Sequence, residues 1–244
     1  MSGAELQGES RVRENFMHGL VGGVKPCRAR SAMRGFTLTE LLTVISIIAV
    51  LFAMLSAALR QVRDRGKQVI CMNNLRQIGL GLMSYANEHD GYIPPIYTTP
   101  ANTYWTHSLV NNGYFTTNGA QKLFVCPSAS SANWLFQTYG MNCGASATPA
   151  INFSIQLYSP SVNGWPEGTS PSGFPLLADS GRWTSVSSGD QSYYFYSKNP
   201  SAGTKIIRLG HFSNANILFC DGHVEPCNQE RIAALGITSP AYAP

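Results

Sequence analysis

The sequence predicts an α+β fold: one long N-terminal helix, part apolar and part amphipathic, packed on a small antiparallel β-sheet with long loops. Three observations predict it. Residues 41–59 form an uncharged run of 19 residues, LLTVISIIAVLFAMLSAAL. Apolar residues then recur at spacings of three, four and seven as far as Tyr85, the period of an amphipathic helix. Beyond Gly91, short apolar or aromatic runs alternate with Gly, Pro, Asn and Ser clusters, which is the texture of strands and loops.

Residues 1–35 carry scattered glycine and charge with no sustained apolar period, and read as a disordered leader. Residues 36–59 rise about 36 Å as a helix, enough to cross a bilayer with some tilt. A secretory signal would have a shorter apolar core, with its small-residue cleavage site after that core and not before it. Residues 60–90 form the amphipathic half, with Val62, Val69, Met72, Leu75, Ile78, Leu82 and Tyr85 as the stripe. No proline interrupts residues 36–90, but Gly66, Gly79 and Gly81 weaken the helix and mark places for a bend or break. His89-Asp90-Gly91 and Pro94-Pro95 end it.

Residues 91–244 make the globular domain. Candidate strands cover residues 123–126, 174–178, 192–196, 217–220 and 223–225. The last two flank Asp221-Gly222, the strongest short-range hairpin signal. Residues 144–173 read as a long loop and 229–235 as a short helix.

Charged residues make up 12% of the chain, about half the usual share, so Ser, Thr, Asn and Gly take their place on the surface. The net charge of +4 is unevenly placed. Six basic residues precede Phe36 and five more, Arg60 to Arg76, follow the apolar run. Beyond Arg76 eight acids face six bases, so the domain lacks the basic stripe of a nucleic-acid binder. Four Lys or Arg in residues 21–35 match four in residues 60–74, so charge asymmetry assigns no orientation across a membrane. None of the six cysteines, Cys27, Cys71, Cys126, Cys143, Cys220 and Cys227, falls in a CxxC pair. The five after Phe36 cannot all pair within one chain, and small buried apolar residues are their other reading.

The junction reads Arg34-Gly35-Phe36-Thr37-Leu38-Thr39-Glu40-Leu41-Leu42. It closely resembles the processing site of type IV prepilins and type II secretion pseudopilins. The resemblance implies a pilin-like fold and cleavage by prepilin peptidase between Gly35 and Phe36. It implies N-methylation of Phe36, and a role for Glu40 in methylation and in assembly, where it pairs with a neighbouring subunit's N-terminal amine. It also places the leader in the cytoplasm, the helix in the inner membrane and the domain in the periplasm. A leader of 35 residues is longer than most in that family; Met17 and Met33 are alternative starts that leave the mature chain unchanged.

Further segments resemble pilin-like proteins of the H-X9-DG type, a domain of unknown function (DUF1559). They are residues 71–80 with Tyr85-Ala86-Asn87, Phe124-Val125-Cys126-Pro127-Ser128, Tyr139-Gly140-Met141-Asn142, Ala178-Asp179-Ser180, and His211 followed after nine residues by Asp221-Gly222. The resemblance favours a disulfide between Cys71 and Cys126. It names no ligand and implies no cofactor.

Two imidazoles and a carboxylate, His211, Asp221 and His223, carry ligand types suited to zinc. The hairpin turn accounts for Asp221-Gly222 without a metal, and none is expected. No G-x-S-x-G elbow appears, and Asp179 and Glu225 are a catalytic pair only as any two acids are. Tyr193, Tyr194, Tyr196, Trp134, Trp165 and Trp183 are candidates for a sugar or partner surface, or for the core.

Three functions fit. One is a non-enzymatic structural subunit of a type II secretion pseudopilus or a type IV pilus-like fibre. Its partners would be prepilin peptidase, other pilin-like subunits and the secretion machinery, with no nucleic acid. Another is a membrane-anchored module that binds polysaccharide or an exported protein. The third is an anchored hydrolase using His211, Asp221 and His223.

Overall fold

A computed structural model of the protein describes residues 35–99, 101–129, 139–144, 155–158, 160, 169–182, 191–192, 194–195, 197 and 205–237. The leader expected over residues 1–34, Cys27, and the aromatics Trp134, Trp165, Trp183, Tyr193 and Tyr196 lie outside them. The chain divides into two units, residues 1–50 and 51–244.

The first unit contributes three residues without regular secondary structure, 35–37, and the opening of helix α1 (Leu38–Glu88). Its large apolar side chains are exposed, from Phe36 at 84% to Val50 at 56%. By length and composition α1 is able to cross a membrane.

The second unit holds the rest of α1 and the domain. The helix runs unbroken through Gly66, Gly79 and Gly81. Its docked face is Cys71, Leu75, Ile78, Leu82 and Ala86, all fully buried. Val62 and Val69 depart from the expected stripe: both are 65% exposed. Val69 lies two residues, roughly 200° of helical rotation, before Cys71, so it projects from the opposite side. The buried glycines are close-approach points. A Cβ on Gly79 would lie 3.0 Å from Leu218 Cδ1, and one on Gly81 2.5 Å from the Phe115 ring. The helix stops where Asp90 and Gly91 turn to positive φ, with the Gly91 N–H returned to the Ala86 carbonyl at 2.8 Å.

Two short strands, β1 (Tyr97–Thr98) and β2 (Thr103–Tyr104), pair as a ribbon leading into α2 (Trp105–Asn111). Residues 117–123, whose end was expected as a strand start, are helix α3 (Thr117–Leu123). The Thr116 side chain accepts the Gly119 N–H at its N-cap. Phe124 ends that helix and packs edge-on against Trp105 and Phe115, ring centres 5.4 and 5.5 Å away.

The main sheet has the order β6-β3-β4-β8-β9. Its strands are β3 (Gly140–Asn142), β4 (Pro175–Ala178), β6 (Tyr194–Phe195), β8 (Asn214–Phe219) and β9 (Val224–Asn228). The pairs β3–β4, β4–β8 and β8–β9 are antiparallel as expected, but β3–β6 is parallel. A side ribbon joins β5 (Ser180–Arg182) to β7 (Lys205–Ile207). A 3₁₀ turn (Pro171–Gly173) precedes β4, and helix α4 (Gln229–Ala234) follows β9. Asn228 caps α4 by accepting the Arg231 N–H at 2.8 Å.

The expected hairpin forms at Asp221-Gly222. Gly222 takes φ +89° and donates to the Phe219 carbonyl at 3.0 Å, while Asp221 Oδ1 accepts the His223 N–H at 3.1 Å. A Cβ on Gly222 would lie 2.4 Å from Met83 Cε, so the turn is seated directly on α1.

Candidate functional site

At the junction, Gly35 and Phe36 precede the helix, and Thr37 caps it. The Thr37 N–H and hydroxyl donate to Glu40 Oε2 at 2.9 and 2.8 Å. In return the Glu40 N–H donates to Thr37 Oγ1 at 3.2 Å. This reciprocal arrangement is a capping box, with the acid three residues into the helix. Its signal, Thr37-x-x-Glu40, was present in the sequence and gives Glu40 a local role beside the one the resemblance implies. The carboxylate also sits where the helix macrodipole favours negative charge.

The second site is buried in the domain. Cys71 from α1, Cys126 after α3, Asp179 between β4 and β5, and His211 before β8 converge. One ligand atom from each lies within 4.8 Å of all the others. The Cys71 thiol donates to Asp179 Oδ1 at 3.2 Å. Cys126 Sγ is 3.2 Å from His211 Nε2, and that nitrogen is 3.6 Å from Asp179 Oδ2. Outer groups hold each member in place. Tyr139 Oη donates to Cys71 Sγ at 3.3 Å, and the Asn216 N–H donates to Asp179 Oδ2 at 2.9 Å. The Ser128 N–H donates to Cys126 Sγ at 3.5 Å, and Ser128 Oγ lies 3.4 Å from His211 Nδ1.

A tight turn aims His211. Residues 211 and 214 exchange both backbone hydrogen bonds, at 3.0 and 2.9 Å, with Phe212 and Ser213 between them at φ +50° and +61°. That is a two-residue loop of the I′ kind made without glycine, so the backbone is strained beside the cluster. Phe212 rests under the Arg65 guanidinium of α1, 5.9 Å from its ring centre, within cation–π reach.

The cluster's electrostatics follow from burial. Burial pushes the Asp179 carboxyl up to about 7, aided by the Cys126 sulfur and opposed by His211. Burial likewise pushes the Cys71 thiol well up. Cys126 moves well down, because its hydrogen bond with Cys71 and then its contact with His211 outweigh burial. At His211 burial disfavours the charged form, but the Cys126 hydrogen bond and the Asp179 carboxylate raise its pKa overall.

The trio His211, Asp221 and His223 is not brought together. Strand β8 stands between its ends, a rise of about 20 Å for six residues. Asp221 and His223 instead pair with each other at 2.5 Å on the surface, where His223 stacks on Phe219. Glu225 binds Arg231 Nε at 2.9 Å, remote in role from buried Asp179. Cys71 and Cys126, which the resemblance paired, are neighbours but are not joined by a disulfide, and each is held in the hydrogen bonds given above. Tyr194 is buried in the core. The sequence reading missed Asp179 as a partner of the two cysteines and His211. The only signal was that each sits in one of the segments that carry the resemblance.

Residues 30–56 match the prokaryotic N-terminal methylation motif. The match supports a type IV pilin-like protein that prepilin peptidase processes. It spans the junction, the capping box and the start of the exposed apolar helix, and that helix suggests membrane anchoring. No curated protein and no solved structure shows significant similarity to the chain.

Proposed function

We propose that the mature chain begins at Phe36 and serves as a structural, non-enzymatic subunit of a type II secretion pseudopilus or a type IV pilus-like fibre. The observation that carries this reading is the methylation motif running straight into a helix whose large apolar side chains from Leu38 to Leu59 are exposed. Such a helix in one copy needs lipid before assembly and neighbouring helices after it. Beyond the apolar run, Val62, Val69 and Leu80 remain 65% exposed on the side of α1 turned away from the domain. They offer a contact surface for the next subunit. One repeated heterologous contact of this kind grows a helical fibre.

In this reading the leader lies in the cytoplasm, α1 is anchored in the inner membrane, and the domain faces the periplasm. Prepilin peptidase, other pilin-like subunits and the secretion machinery are the partners. The domain itself is of the H-X9-DG type, supported by the spacing of His211 from Asp221-Gly222.

Mass spectrometry of the protein recovered from its native host's membranes tests the processing. The expected N-terminus is Phe36 carrying one added methyl group. Gly35→Leu should leave the leader attached. Glu40→Ala should be cleaved yet fail to enter fibres. Recovery of the wild-type protein with residues 1–35 still attached would overturn the reading.

A further inference from the structure

We propose that Cys71, Cys126, Asp179 and His211 form a tetrahedral zinc(II) site that clamps α1 to the domain. This inference is independent of how the N-terminus is processed. Two thiolates, an imidazole and a carboxylate are a donor set that suits zinc and disfavours magnesium or calcium, which take oxygen ligands.

The geometry is close to what the ion needs. With metal–sulfur bonds near 2.3 Å and metal–nitrogen or –oxygen bonds near 2.0 Å, ligand atoms in a tetrahedron sit about 3.3–3.8 Å apart. Two of the edges, Cys71 Sγ to Asp179 Oδ1 and Cys126 Sγ to His211 Nε2, measure 3.2 Å each, and no two of the four ligand atoms are more than 4.8 Å apart. Seating the ion therefore needs the remaining edges to close by roughly 1 Å at most, a side-chain adjustment.

The outer groups fit as well. His211 offers Nε2 to the site while Nδ1 faces the Ser128 hydroxyl, the orienting contact that metal-bound imidazoles require. Asp179 offers Oδ1 with Oδ2 held by the Asn216 N–H. Two thiolates, one carboxylate and neutral imidazole around Zn²⁺ leave one net negative charge. The Tyr139 hydroxyl and the Ser128 N–H both donate to the sulfurs and spread it. On binding, each thiol loses its proton to water, and nothing is oxidised or reduced.

Oxidation of Cys71 and Cys126 to a disulfide is the competing fate. It needs an external oxidant, and it takes the thiol donor away from fully buried Asp179 and the sulfur partner away from His211. The ion instead satisfies all four residues at once. The four ligands come from segments up to 140 positions apart, so one ion ties the helix, the loop after α3, the end of β4 and the start of β8 together.

The test uses the full-length chain, purified in detergent under anaerobic reducing conditions and titrated with cobalt(II) and then zinc(II). The expected result is one cobalt per chain, with the ligand-field bands of a tetrahedral ion and a thiolate-to-cobalt charge-transfer band, all erased by zinc. Cys71→Ser, Cys126→Ser, Asp179→Asn and His211→Gln should each weaken zinc binding at least tenfold. Ser128→Ala should weaken it by about tenfold through the imidazole alone. The double variant Asp221→Ala, His223→Ala should bind as the wild type does. Cooperative unfolding separates a folded variant that has lost the ion from one that has not folded. Octahedral bands without charge transfer, no cobalt uptake by the reduced wild type, or unchanged binding in the cysteine variants would each overturn the site. So would a Cys71–Cys126 disulfide that persists in protein isolated in the presence of excess zinc.

Discussion

Single residues at two points decide local structure. Gly222 needs a positive φ and also allows Met83 into contact. Gly222→Ala should therefore cost about 2 kcal/mol or more, from left-handed strain and overpacking together. Adding Met83→Ala should recover only the steric part, and urea unfolding of both variants measures the difference. At the other end of the chain, Thr37→Ala removes the cap that Glu40 completes. It should cost about 1 kcal/mol of helix stability, seen as faster amide exchange over residues 38–41. Cys227 is a quieter case. Burial, with Glu225 beside it, pushes its thiol up to about 12, so in the folded chain it should resist alkylation at neutral pH and react once urea unfolds the domain.

Elements show where sequence patterns succeed and where they fail. The turn at Asp221-Gly222 and the stop at Asp90-Gly91 were legible because both depend on chemistry within a few residues. The run around Phe124-Val125-Cys126 was misleading: a short apolar stretch has no distinguishable period, and α3 ends in it. Val62 and Val69 were misplaced for a different reason. They satisfy a spacing of seven between themselves but sit out of phase with Leu75, Ile78 and Leu82. The glycines of α1 looked alike in the sequence and are not. Gly66 has open space around it, whereas Gly81 has the Phe115 ring where a Cβ would go. Gly66→Ala should raise monomer stability by up to about 1 kcal/mol, and Gly81→Ala should lower it, as thermal unfolding would show. The cluster of Cys71, Cys126, Asp179 and His211 was illegible because its hydrogen-bonded pairs are 85 and 108 residues apart. Nothing local brings them together.

At the scale of the whole molecule, the two faces of α1 beyond the apolar run have separate tasks. One face builds the core through Cys71, Leu75, Ile78 and Leu82, and the other carries Val62, Val69 and Leu80 into solvent. Asp at any of the three exposed positions should leave the unfolding midpoint nearly unchanged, since surface changes cost about 0.5 kcal/mol or less. In the proposed fibre the same change should exclude the subunit, which co-assembly with wild type would reveal. The span from His211 to Asp221-Gly222 also acquires a plain meaning. One end enters the buried cluster, the other is seated on Met83, and β8 is the length between them. The strand acts as a caliper with both jaws closed on the same helix, at Cys71 through the cluster and at Met83 through the turn. Losing two residues from it would keep every side chain on its own face of the sheet yet shorten the reach by about 7 Å, so that only one jaw could close.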